Sequence, residues 1–218
     1  MATRDVHVPV MLTRRPEAMA RAVESGADLQ PMLAKADAIA VGPGLGQGEW
    51  GRAMLQLALA SNQPLVLDAD ALNLIAESPR ALPGTVLTPH PGEAGRLLGI
   101  DTSDVQRDRL AAAQAIADSH CAVVVLKGAG TIIAAPNEVA RIIDAGNPGM
   151  AVGGMGDVLT GVIVALRAQG LAAFDAACAG ALIHGMAGDA AALSGERGLL
   201  PTDLTPYLRR LCNPDVAD

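Results

Sequence analysis

The chain has 218 residues, half of them hydrophobic but with one Phe, one Trp and one Tyr, and a formal net charge of −7. That length suits one α/β domain with a sizeable core and is short for two. The acidic balance, with no Lys/Arg block, excludes a general nucleic-acid binder, and the scarcity of aromatics means that core and ligand walls alike must be aliphatic.

In chain order, "AIAV" (38–41) is a short apolar strand that stops at "GPGLGQG", and "GEWGRAMLQLALAS" (48–61) follows with helical spacing at Met54, Leu55, Leu57, Ala58 and Leu59. "PLVLDAD" (64–70) is a buried-type strand ending in acids, and "TVLTPHPGE" (85–93) is a strand broken by two prolines. A helix is predicted from Glu93 to Leu98, stopped by Gly99, and an amphipathic one from Arg107 to Ser119. "AVVVLKGAGT" (122–131) holds the strongest strand; "TIIAA" (131–135) and "VARIID" (139–144), separated by Pro136-Asn137, form a hairpin. Three helices near 157–169, 175–194 and 202–211 complete the chain. Strands alternating with helices imply parallel crossovers and a layered α/β sheet. In such sheets ligands sit at the carboxyl ends of the strands. "GPGLG", "DAD", "TPHPGE" and "KGAGT" all fall there, so four loops share one rim with the glycine-rich helix start.

The richest of these segments is "NPGMAVGGMGDVLTGVI" (147–163), five glycines around one carboxylate. Where Asp157 opens a helix, the amides of Gly154, Met155 and Gly156 converge on an anionic oxygen. A carboxylate beside a phosphate is poorly placed to bind it and well placed to take a proton from an attacking hydroxyl. The competing reading of Asp157 is a helix N-cap. Lys127 to Thr131 form a turn with exposed amides and one cation, suited to a phosphate or nucleotide or merely to a tight connection; Lys and Gly stand in the wrong order for a P-loop. His90 lies between two prolines that hold it rigid, where it can orient a polar ligand. Glu93 is a candidate contact to a metal–phosphate or simply a first-turn helix acid. Asp68 and Asp70 suit magnesium, ribose or a helix cap. The glycines of "HGMAGDAA" (184–191) suit close helix packing, and His7, His120 and His184 are read as structural.

Cys121, Cys178 and Cys212 are scattered and follow no metal-binding spacing, which points to a reducing compartment and the cytoplasm. The apolar run from Val158 to Leu166 is too short to cross a bilayer.

"VGPGLG", "LVLDADALNLI", "LTPHPGEAGRLLG", "VVLKGAGTII", "GNPGMAVGGMGDVLTGVI" and "HGMAGD" follow one another in the order and spacing of the ADP/ATP-dependent NAD(P)H-hydrate dehydratases of the ribokinase-like superfamily, which the chain resembles over nearly its whole length. The resemblance implies a single three-layer domain over 1–218, with a mostly parallel central sheet and helices on both faces. It implies repair of hydrated NADH or NADPH: phosphorylation of the hydrate hydroxyl by ADP or ATP with Mg2+, then elimination of phosphate. By the same resemblance Asp157 is the catalytic base and a substrate contact. Lys127, Gly128, Ala129, Gly130, Thr131, Gly154, Met155 and Gly156 contact the adenine nucleotide. His90, Gly44 and Gly46 contact the hydrated cofactor, Glu93 the metal, and the protein is a homo-oligomer.

Two departures accompany the resemblance. Family members begin with a glycine-containing strand and an Ala-rich helix that this chain lacks, so the sheet is expected to be incomplete at its start. Val152 stands where Ser or Thr is expected. Two other functions fit parts of the pattern: a small-alcohol kinase for a thiazole or pyrimidine vitamin precursor, and a non-catalytic nucleotide-binding remnant. Kinases of the pyrimidine type tend to carry Asn at the position of His90.

Overall fold

The computed structural model describes residues 1–213. Its central feature is a six-stranded sheet, ordered in space as in sequence: β3 (Ile39–Val41), β4 (Leu65–Leu67), β5 (Val86–Leu87), β6 (Val123–Leu126), β7 (Thr131–Ala134) and β8 (Arg141–Ile143). The first four run parallel, and β7 and β8 add an antiparallel meander. A separate parallel pair, β1 (Ala2–Thr3) and β2 (Arg21–Ala22), flanks the short helix α1 (Val8–Arg14). The sheet is thus mostly parallel, and its central strands β4, β5 and β6 are buried on both faces, as crossover helices require, while the edge strands β3 and β8 are partly exposed.

The pleat divides the core in two. Leu65, Leu67, Leu87, Val124, Leu126, Ile132 and Ala134 point to one face. Apolar stripes of α3 (Glu49–Leu59), α4 (Ala69–Glu77), α5 (Pro91–Leu98) and α7 (Arg109–His120) cover that face. The alternate residues Val66, Val86, Val123, Val125 and Ile133 point to the other, beneath α8 (Met155–Ala168) and α9 (Ala173–Ala192). This is the expected helix–sheet–helix sandwich. Smaller clusters seat α2 (Gly26–Leu33) against α3 and α10 (Thr205–Leu211) against α9.

Several boundaries differ from the sequence reading for identifiable reasons. Helix α5 starts at Pro91, not Glu93, because His90 caps it: Nδ1 accepts from the amides of Gly92 (3.0 Å) and Glu93 (3.4 Å). Pro91 suits the first helical position, where no amide partner is needed. The helix expected over 107–119 is α7, which starts two residues later, at Arg109. Helix α6 (Thr102–Arg107) ends at Asp108, whose carboxylate caps α7 by accepting from Ala111 N at 2.9 Å. Strand β4 ends at Leu67, and α4 begins two residues later rather than after the acids.

The sheet's second face depends on Ile163, which is fully buried between α8 and the strands. Ile163→Ala is expected to cost about 2–5 kcal/mol, read as a shift in the denaturant midpoint without a change in slope.

Candidate active site

The carboxyl ends of β4, β5 and β6 converge on one buried ion pair. Lys127, the residue after β6, turns inward and donates to Asp68 Oδ1 at 2.6 Å. Asp68 follows β4 directly and is 1% exposed, too deep to be left uncompensated. Its other oxygen accepts from Thr160 Oγ1 at 2.8 Å, and the Thr88 hydroxyl lies 3.4 Å from that of Thr160. Glu93, also buried, brings Oε2 to 3.7 Å from Lys127 Nζ. The same oxygen accepts from His90 N at 2.8 Å. One cation therefore serves carboxylates from two different loops and ties three strand ends together.

Two glycines allow this closeness. Gly42 has φ +138°, and a Cβ there would sit 1.7 Å from the Asp68 carbonyl oxygen. A Cβ on Gly156 would meet Lys127 Nζ at 3.1 Å, so any larger residue there would press on the ion pair, which the first turn of α8 approaches closely.

Asp157 does not cap α8. The N-cap is Gly154 in the left-handed region (φ +91°), no side chain caps the helix, and Asp157 is its third residue. The amides of Gly156 and Asp157 meet no acceptor among the described residues. The N-terminal dipole of a fourteen-residue helix is thus presented open. Asp157 itself reaches solvent. Partial desolvation, and then the negative charge of Asp68, raise its pKa above the usual 3.8, while Lys127 opposes them. A carboxylate raised in this way is a better proton acceptor than a free aspartate.

The remaining expected residues fall around this centre. Gly128, Ala129 and Gly130 form a turn whose amides meet no acceptor among the described residues, with positive φ at Gly128 and Gly130. Thr131 Oγ1 donates to the Gly128 carbonyl at 3.1 Å. Lys127, expected as the one cation of this turn, faces the interior. Gly44 and Gly46 lie exposed in the loop after β3. The Gly46 amide donates to Asp70 Oδ2 at 2.8 Å, so Asp70 anchors that loop. Glu93 spends its oxygens on His90 and Lys127, and among the described residues no three His, Cys, Asp or Glu side chains cluster as a metal cage. The glycines of α9 do serve packing: a Cβ on Gly185 or Gly188 would strike Ala145 O at 2.7 Å or Met150 Sδ at 2.2 Å. Asp189 holds the same loop by accepting from Gly146 N and Asn147 Nδ2.

Some residues were not singled out from sequence. Thr88 and Thr160 complete the Asp68 environment and carry no motif signal beyond a hydroxyl in an apolar run. Arg109 braces the 128–130 turn from beneath, donating to the carbonyls of Ala129, Leu126 and Lys127. It opens α7 right after the Asp108 cap, which sequence reading placed inside a helix. His184 reads as structural in the sequence. It is buried beside the Met155 carbonyl, with Nε2 unpartnered, and burial pushes its pKa down to about 4.

Charge sets what the centre can hold. Lys127 faces three carboxylates, Asp68, Glu93 and Asp157, so side chains alone give a negative balance. An anion bound here must rest on the open amides of α8 and the 128–130 turn, and is helped by a cation that it brings with it.

Comparisons with known proteins accord with this arrangement. Residues 1–210 match the sequence model of a family described as NAD(P)H-hydrate dehydratase. The bifunctional NAD(P)H-hydrate repair enzyme of Coxiella burnetii is 51% identical over 98% of this chain, but this chain spans only 44% of that protein's length. The structure of the ADP/ATP-dependent NAD(P)H-hydrate dehydratase from Bacillus subtilis, co-crystallised with ATP/Mg2+, superposes with a TM-score of 0.82 at 30% identity, covering 96% of this chain and 76% of that one. A ribokinase-like superfamily protein from Enterococcus faecalis gives a TM-score of 0.86 at 30% identity, covering 98% and 77%.

Removing one partner of the buried pair should expose its role. Lys127→Met is expected to destabilise the protein by about 3 kcal/mol because Asp68 is left charged and buried. Adding Asp68→Asn should restore part of that loss, a coupling read from a double-mutant cycle in denaturant melts.

Proposed function

Because the chain belongs to the NAD(P)H-hydrate dehydratase family, we propose that it restores NADH or NADPH from the hydrated cofactor at the expense of ADP or ATP. The observation that carries this reading is Asp157 standing, without a capping role, on the open N-terminus of α8. In the proposed reaction the hydrate hydroxyl attacks the terminal phosphoryl group, Asp157 takes the hydroxyl proton, and the shortened nucleotide leaves. Phosphate then departs as the ring C–O bond breaks and a proton is lost from the neighbouring carbon, which re-forms the dihydronicotinamide.

The chain's residues divide this work by chemistry. The open amides of Gly154, Gly156 and Asp157, with those of Gly128, Ala129 and Gly130, are presented to the nucleotide phosphates, whereas the amides of Met155 and Lys127 are bonded to the carbonyls of Val152 (3.4 Å) and Pro89 (2.9 Å); Arg109 keeps the second turn in shape. Lys127 orders Asp68 and Glu93 and contributes positive potential at the rim. His90, Gly44 and Gly46 border the space for the hydrated ring. Mg2+ would enter as a partner of the nucleotide phosphates, with the exposed Asp157 as the carboxylate able to meet it directly or through water, since Glu93 is buried and already engaged by His90 and Lys127; it would supply charge neutralisation that one lysine cannot. The kinase alternative shares the base and the amides and differs in the product that it releases.

Two further expectations belong to the proposal. Self-association rests on the family resemblance. A cytoplasmic setting is supported by the unpaired Cys121, Cys178 and Cys212. Among the described residues no helix is long and apolar enough to cross a membrane.

Asp157→Asn should lower nucleotide-dependent recovery of NADH absorbance roughly 10²–10⁴-fold, about 3–5 kcal/mol in barrier. Nucleotide affinity should hold or rise as a negative charge is removed, and the melting temperature should change little because no cap is lost. Near wild-type turnover would eliminate Asp157 as the base.

The pH dependence has a defined sign. A base acts only when deprotonated, so the acid limb of the rate profile should lie above the pH expected for an ordinary aspartate. Asp68→Asn removes a charge that raises the Asp157 pKa, so the limb should move to lower pH in the residual activity of that variant. A limb that stays in place would show that Asp68 does not set it.

A further inference from the structure

Beside the rim lies a groove that the reaction described above does not use. It occupies about 390 Å³ and is lined by Gln47, Asn73, Ala76, Glu77 and Arg96, a volume within the usual range for small-molecule sites. Its polar groups are unevenly satisfied. Glu77 is neutralised by Arg52, which donates to both carboxylate oxygens at 2.6 and 3.1 Å. Arg96 has no such partner. Its Nε donates to the neutral Asn73 Oδ1 at 2.7 Å, and its two Nη groups meet no acceptor among the described residues. The Asn73 amide nitrogen is likewise without an acceptor there. The groove therefore offers an exposed guanidinium, tethered through Nε to Asn73, and an amide donor, beside an acid that is paired with Arg52. That donor set suits phosphate oxygens, which a planar guanidinium binds in pairs.

Its position ties the groove to the rim. His90 caps α5, and Arg96 lies six residues further along, on the order of 9 Å by helical rise. Gln47 directly follows Gly46, and both donate to Asp70, Gly46 from its backbone and Gln47 from its side chain. The same helix and the same loop thus border the space proposed for the reacting ring and continue into the groove. A ligand with its ring beside His90 and a phosphate some way along its length would lie between them.

We propose that this groove binds the phosphate-bearing adenosine half of the dinucleotide substrate, with Arg96 as its anion contact and Asn73 as the residue that orients it. The assignment rests on the proposed hydrate-dehydratase function for the identity of the dinucleotide. The shared chemistry is a phosphoryl group, either the diphosphate bridge or the 2′-phosphate of the NADP series. Ala76 supplies an apolar wall for the sugar or base.

The test measures binding of NADH and NADPH by fluorescence titration and of ADP by calorimetry, for the wild type, Arg96→Gln and Arg96→Lys. Arg96→Gln should weaken dinucleotide binding by about tenfold or more, leave ADP affinity unchanged, and be partly rescued in Arg96→Lys. A loss confined to NADPH assigns the 2′-phosphate, and an equal loss for both assigns the diphosphate; either supports the groove. Unchanged dinucleotide affinity, an equal loss of ADP affinity, or a wild type that binds neither dinucleotide overturns it. If Arg96→Gln does not fold, Asn73→Asp decides, because it keeps the shape and cancels the Arg96 charge: the same loss supports the groove and unchanged affinity overturns it. Wild-type protein that binds dinucleotide but fails to restore its hydrate would refute the proposed reaction while leaving this binding result readable.

Discussion

The bond from Lys127 to Asp68 is the constraint on which the rim depends. A carboxylate at 1% exposure cannot be left alone, and a single ammonium group arriving from β6 meets that need. In doing so it fixes the ends of two strands and draws Glu93, with the His90 segment, toward the same point. Helix α8 then packs its Gly156 turn on the pair and its Thr160 hydroxyl on the free oxygen of Asp68. The position of Asp157 follows from that packing, since it is the next residue on the turn. Asp157, the proposed base, is thus placed by a structural ion pair.

The same pair explains an electrostatic compromise. The proposed anion site, lined by three carboxylates, looks self-defeating until the backbone is counted. The open amides of α8 and of the 128–130 turn are positive partial charges that need no side chain and cannot be neutralised by a neighbouring acid. Asp68 can therefore help to raise the Asp157 pKa without abolishing the attraction for phosphate, because the groups that attract phosphate are not titratable. Lys127 is too committed to its own carboxylates to act as a free phosphate contact, which sets this centre apart from a P-loop lysine.

Much of this was legible in the sequence because period and punctuation agreed. The apolar runs 64–67 and 122–126 lie in β4 and β6 of the sheet, and "PN" at 136–137 separates the two antiparallel strands. The family motifs located the rim itself. Sequence was less able to say which way a side chain turns. Lys127 reads as the cation of a glycine-rich turn, but its direction is decided by Asp68, 59 residues away. Asp157 reads as a possible N-cap because Gly154 gives no sign in sequence of taking a positive φ and starting the helix itself. Thr88, Thr160 and Arg109 were missed for a related reason: each acts through a long-range hydrogen bond that leaves no local pattern. The start of α7 at Arg109 and not Arg107 depends on a cap at Asp108 that periodicity does not show, and α6 has no counterpart in the sequence reading.

The most direct measurement follows phosphate, not the protein. With wild-type enzyme, hydrated NADH, Mg2+ and ADP or ATP, orthophosphate release and recovery of dihydronicotinamide absorbance should rise together, one for one, with no phosphorylated alcohol accumulating. Recovery of absorbance without nucleotide consumption, or a stable phosphorylated product with no free phosphate, would contradict phosphoryl transfer followed by elimination at the Asp157 rim.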